Sequence, residues 1–282
     1  MKFNQSTAEI FIPDGKSLTP ALLRTTHLAI GAHPDDLEIM AAAPILECFQ
    51  KQHQWFTGVV VTDGRGSPRA GAYRDTPDEQ MRQVRLQEQR KAAILGEYGV
   101  LVMLDYPSSQ IKDGSCQEIV DDLADLLRLA RPEVVYTHNL ADKHDTHIGV
   151  ALRTIAAIRR LPETERPQRL IGCEVWRSLD WMQDADKLVF DLSGRLDLQA
   201  SLLAVFDSQI SAGKRYDLAA EARRRANATY SASHTVDQAT AVSFGMDMTP
   251  LLQDDSLDPW AFVQAYLDRF ARDVEARLRR MQ

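Results

Sequence analysis

At 282 residues, 44% hydrophobic and 26% charged, the chain has an ordinary globular composition and enough length to bury a sizeable core. Its formal net charge of −7 argues against nucleic acid as a main partner, and no stretch reaches the roughly 18 apolar residues a membrane span needs. Cys48, Cys116 and Cys173 show no metal-finger spacing and read as reduced thiols, so a cytoplasmic protein is expected.

Short apolar runs alternate with helical patterns along most of the chain. Residues 27–32, 56–62, 99–104, 132–137, 169–176 and 187–192 read as strands, several too uniformly apolar to have a wet face. Between them, Thr76-Pro77-Asp78-Glu79 and Ser115-Cys116-Gln117-Glu118 look like capping boxes opening helices. The second of these helices carries an apolar stripe through Ile119, Leu123, Leu126 and Leu127. Residues 147–160 repeat the pattern through Ile148, Ala151, Leu152, Ile155 and Ile158. The alternation predicts an α/β fold with a Rossmann-like, mostly parallel sheet and helices on both faces. Residues 195–230 read as helical and Arg-rich, with Arg223–Arg225 as a solvated face, and residues 231–256 as polar and irregular. A final amphipathic helix over 257–280 turns Trp260, Val263, Leu267, Phe270 and Val274 inward. One domain over 1–282 is expected, with a core over about 25–210 and a C-terminal helical elaboration over about 211–282.

Two loops carry the chemistry. Gly31-Ala32-His33-Pro34-Asp35-Asp36 follows the first predicted parallel strand, where an open parallel sheet binds its ligands. The segment 137–149 follows another strand and holds His138, Asp142, His144, Asp145 and His147, with three of the chain's seven histidines in ten residues. One His and one Asp from the first loop and one His from the second would make a three-ligand zinc site with an open position. A carboxylate and an imidazole would remain for acid–base work.

The stretch Ala32-His33-Pro34-Asp35-Asp36-Leu37-Glu38 resembles the first signature of the PIG-L (LmbE-like) zinc-dependent N-deacetylases, and Asp142–His147 resembles the second. The resemblance spans roughly residues 25–210. It implies one zinc, or another divalent metal, per chain on His33, Asp36 and His147. It also implies Asp35 as the general base for the attacking water and a protonated His144 as the stabiliser of the oxyanion. Arg85 in Arg85-Leu86-Gln87-Glu88 is implied as a grip on the substrate, and Glu38 as a supporting group. The implied reaction removes an N-acyl group, most simply acetyl, from an N-acylglucosamine unit of a small-molecule amino-sugar conjugate. A homo-oligomer is compatible with it.

The sequence departs from the family pattern at two places in the second motif. Thr146 stands where the family has an Asp thought to orient the histidine, and Asp145 stands in place of Pro. Asp142, Asp145 or a water on Thr146 are the candidate substitutes. Two other readings share the site: an amidase acting on a thiol-sugar conjugate, and a non-catalytic sugar-binding protein that keeps the metal. Trp176 and Trp181 are candidates for a sugar-stacking platform or for core residues.

Overall fold

A computed structural model describes residues 1–282. Its elements run β1 (Glu9–Phe11), α1 (Leu18–Leu23), β2 (His27–Gly31), α2 (Asp36–Met40), α3 (Ala42–Cys48), β3 (Phe56–Thr62), α4 (Asp78–Leu95), β4 (Val100–Tyr106), α5 (Ser108–Lys112), α6 (Glu118–Ala130), β5 (Val134–His138) and α7 (Asp145–Arg159). There follow β6 (Arg169–Cys173), β7 (Lys187–Asp191), α8 (Leu196–Ala204), α9 (Asp207–Ile210), α10 (Tyr216–Thr229), β8 (Val242–Asp247), α11 (Pro250–Gln253) and α12 (Pro259–Met281).

All eight strands join one sheet in the order β1-β4-β3-β2-β5-β6-β8-β7. The run from β4 to β6 is parallel, β1 runs against β4, and β8 runs against both β6 and β7. β2, β3 and β4 are buried at every residue because helices cover both faces, which is why they read as unbroken apolar runs. Alternate side chains enter two separate cores. Leu28, Ile30, Val59 and Val61 pack with Ile119, Leu123 and Ile155 of α6 and α7, while Ala29 and Val60 pack with Leu37 and Ile45 of α2 and α3. The Rossmann-like expectation matches this sheet.

The order of the parallel strands reverses at β2, which lies between β3 and β5. The chain steps from β2 through β3 to β4 on one side and then crosses back from β4 to β5 on the other, so a crevice opens beyond the carboxyl ends of β2 and β5. The loops after these two strands are the two motif-bearing loops. Their meeting is a consequence of topology.

Four local expectations are corrected. Neither Thr76 nor Ser115 caps a helix: Pro77 and Gln117 occupy the cap positions, and Ser115 Oγ instead donates to Asp113 Oδ1 at 2.7 Å. The irregular stretch contains β8, inserted between β6 and β7. In α12, Phe262 and Val263 are buried, but Trp260 is 64% exposed and Phe270 and Val274 also face solvent. Arg223–Arg225 is not a uniformly solvated face, since Arg224 is buried.

Candidate metal centre and active site

The first loop leaves β2 through Gly31, where a Cβ would lie 3.1 Å from that of Asp36, so glycine lets the chain double back tightly. Asp36 closes the turn by accepting the His33 N–H at 2.7 Å. Asp35 sits between them at φ 91°, in the left-handed region that only a few residues besides glycine tolerate, Asp and Asn among them. Two α4 side chains hold this strained residue. Its N–H donates to Gln89 Oε1 at 3.0 Å, and Arg85 donates to its Oδ2 at 2.9 Å. Gln89 is fixed in turn by Glu38, whose Oε1 accepts from Gln89 at 2.8 Å and from the Tyr98 hydroxyl at 2.7 Å. The C-terminal end of α2 is held by Arg224 from α10, which donates to the carbonyls of Glu38 and Ile39 at 2.8 and 3.1 Å.

The second loop is built on Asp142. This buried carboxylate accepts the N–H groups of Lys143, Trp176 and Arg177, and its Oδ2 lies 3.2 Å from His147 Nδ1. That contact orients the ring so that Nε2 points at the first loop. His144 caps the start of α7, stacked on His147 with ring centroids 4.6 Å apart.

His33 Nδ1, Asp36 Oδ2 and His147 Nε2 then form a nearly equilateral triangle. Its sides are 3.2 Å (His33–Asp36), 3.2 Å (His33–His147) and 3.3 Å (Asp36–His147). A tetrahedral ion with bonds of about 2.0–2.1 Å sets its ligand atoms about 3.3 Å apart, so the donor set fits zinc without rearrangement. His138, at the end of β5, also approaches Asp36 Oδ2, at 3.5 Å, and could be grouped with it and His147. Its Nε2 already accepts the Ala32 N–H at 2.9 Å, which leaves no lone pair for a metal. His138 therefore ties β2 to β5 as a neutral ring.

The charges follow from burial and neighbours. Burial raises the Asp35 carboxyl to about 6, with Arg85 opposing the rise and Asp36 adding to it. Burial also opposes charge on Asp36 and on His147, but each stabilises the other. The Asp36 carboxyl is held well below its ordinary value, and Asp36 with Asp142 lifts the His147 imidazole to about 9. A metal held by Asp36 and His147 would take the place of the His147 proton. His144 goes the other way: burial, then the positive charge of His147 and His33, lowers it to about 4.

The charged His144 expected from the resemblance has no carboxylate partner in the structure. None of the candidate substitutes partners it. Asp142 is engaged by His147, Asp145 is exposed, and His144 Nδ1 and Thr146 Oγ1 are both buried without a hydrogen-bond partner. Arg85, expected as a substrate grip, borders the cleft. It is 1% exposed, and its terminal nitrogens are engaged by Asp35, the Pro34 carbonyl, Glu88 and Ser208. Its position fits a residue that holds the base.

A cleft of about 710 Å³ opens over the triangle, lined by His33, Asp35, Asp36 and His144 and walled by Trp176 and Tyr216. Trp176 tilts toward His144 with centroids 5.8 Å apart, whereas Trp181 packs on Phe270 of α12. Of the two candidate platforms, only Trp176 is at the cleft.

Residues 28–158 match the family described as PIG-L: GlcNAc-PI de-N-acetylase. The match spans just under half of the chain and makes residues 28–158 similar to the PIG-L family. No curated protein matches it in sequence. Among solved structures, a conserved protein from Thermus thermophilus is similar at TM-score 0.63 and 19% identity, over 82% of this chain and 98% of that one. The N,N'-diacetylchitobiose deacetylase from Pyrococcus horikoshii, complexed with an inhibitor, is similar at TM-score 0.63 and 16% identity, over 82% and 86%. The 4-carboxy-2-hydroxymuconate hydratase from Pseudomonas putida is similar at TM-score 0.62 and 17% identity, over 79% and 95%. These likenesses establish a shared fold, and the hydratase shows that the fold also accompanies a different reaction name. Both motifs, with the His33–Asp36–His147 triangle, lie inside the matched residues.

The supporting network was only partly visible in the sequence. Arg85, Glu88 and Gln89 are all buried on α4, and their spacing of three and four residues on one helical face is the signal that could have linked them. Arg224 lay in a run of three arginines with nothing to single it out.

Proposed function

We propose that the chain is a metal-dependent hydrolase, with zinc as the ion, that removes an N-acyl group, most simply acetyl, from an N-acylglucosamine unit of a small-molecule conjugate. The observation that carries this reading is the triangle of His33, Asp36 and His147 with the buried Asp35 carboxylate immediately beside it. The match to a de-N-acetylase family and the fold shared with a chitobiose deacetylase support it.

His33, Asp36 and His147 would hold the metal, which when bound supplies Lewis acidity toward water and the acyl oxygen. Asp35 Oδ2 is held by Arg85, while Oδ1 has no protein partner and lines the cleft. Oδ1 is therefore the atom that takes a proton from the attacking water and later hands one to the leaving amine. A carboxyl raised to about 6 is well matched to both transfers near neutral pH. His144, a neutral ring here, stabilises the developing oxyanion by donating an N–H hydrogen bond.

The test is amine release from N-acetylglucosamine conjugates by wild type and Asp35→Asn. Asn tolerates the left-handed backbone at this position, so the variant keeps the fold and the metal while losing roughly 10²–10⁴-fold in turnover. Undiminished turnover would remove Asp35 from the mechanism. Because a hydratase shares the fold, release of an amine is the deciding readout.

A further inference from the structure

We propose that the substrate carries an anionic group, a phosphate or a carboxylate, seated on Lys112, Lys143, Lys214 and Arg223 at the cleft. The placement rests on the deacetylase reading, and the charge argument does not. The chain as a whole is acidic, at −7, yet four cations from four separate segments line this one cleft. They come from α5, the second motif loop, the segment before α10, and α10 itself. None of the four has a carboxylate within ion-pair distance, and in this Arg223 differs from most other arginines of the chain.

The acidic groups that line the cleft itself are occupied. Asp35 is held by Arg85, and Asp36 by the imidazoles. Glu174, the carboxylate near Arg223, is engaged by the N–H groups of Leu179 and Phe244 and by Asn227. Arg223 makes one hydrogen bond, to the Val175 carbonyl, and keeps its remaining donors free. Like charges gathered without counter-charge repel one another, and a bound anion relieves that repulsion.

Trp176 sets the spacing. Its ring tilts toward His144 on one side, and Lys214 Nζ lies 5.1 Å from the ring centroid. A pyranose lying on Trp176 would present its acylamino group near His144 and its substituent toward Lys214 and Arg223. The anion would then sit about one sugar ring from the reacting carbonyl, and an Arg fork suits either a phosphate or a carboxylate.

The experiment is calorimetric titration of the full, metal-containing chain with three probes: methyl glucosaminide, glucosamine 1-phosphate and the glycolic acid glycoside of glucosamine. The two anions should bind about tenfold or more tightly than the neutral glycoside, as charge-assisted hydrogen bonds allow. Added salt should shrink that advantage. The larger of the two advantages identifies the anion. In Lys214→Gln/Arg223→Gln the ratio should fall toward one with metal content unchanged, which separates these residues from a phosphate resting on the metal. If that variant fails to fold, Lys112→Gln/Lys143→Gln, at two exposed positions, should lower the same ratio. Equal binding of the three probes, or an advantage that survives the substitutions, overturns the inference. Anion preference without amine release from acetylated probes would sink the deacetylase reading alone, and amine release without anion preference would sink this one alone.

Discussion

Arg85 Nη2 lies 2.9 Å from Asp35 Oδ2, and Arg85 Nη1 lies 3.1 Å from Glu88 Oε2, with all three side chains buried. One guanidinium thus fixes the proposed base from behind. Arg85→Gln should leave two buried carboxylates without their cation, a change that costs about 3–5 kcal/mol where a buried pair is broken. Turnover should fall with little change in KM, because the arm that places Asp35 is lost. Arg85→Lys keeps the charge without the fork and should recover stability more than kcat. Steady-state kinetics beside thermal melts decide it: a rise in KM at constant kcat would return Arg85 to a substrate-gripping role.

Asp142 should govern the metal without touching it. Its Oδ2 orients His147 Nδ1 while the same carboxylate ties down three backbone N–H groups. Asp142→Asn weakens the acceptor that fixes the ring and should reduce metal affinity roughly 10–100-fold, as loss of such partners does elsewhere. Competition with a chromophoric chelator measures it. Unchanged affinity would mean that the helix alone orients His147.

His27 offers a pH dependence away from the site. Burial lowers its imidazole below the ordinary 6.5, with Glu47 and Glu133 opposing the shift. Its folded pKa is therefore below its unfolded one, so the unfolded chain binds the extra proton first. Stability from His27 is present above about 6.5 and is lost as pH falls through the folded value. His27→Gln should flatten the drop in Tm between about pH 8 and about pH 5 relative to wild type. A parallel drop in both proteins would assign the acid sensitivity to other groups.

Much of the fold was legible because parallel strands buried on both faces leave unbroken runs such as Phe56–Thr62. Both motif loops were placed correctly because each follows such a run. β8 escaped because Val242–Asp247 follows a polar stretch and its strand partners, Ile171–Cys173 and Lys187–Asp191, are distant in sequence. The failed caps show local pattern yielding to context, since the Asp113 turn takes the Ser115 hydroxyl. α12 misled for another reason: its periodic apolar residues continue past the point where the body of the protein ends, so Val274 and Leu278 meet solvent. Motif spacing located the candidate ligands, but it could not reveal that Thr146 leaves His144 without a partner. That depends on where Asp142 and Asp145 point in three dimensions.

The central claim is that loops over one hundred residues apart, after β2 and β5, make one metal site. Elemental analysis of the purified wild type and His147→Ala, without added metal, tests it most directly. About one equivalent of zinc in the wild type and its loss in the variant is the predicted result, since removing one of three protein ligands opens the triangle. Equal metal in both proteins would contradict the shared site. So would a wild type that holds none after zinc is supplied and the excess removed.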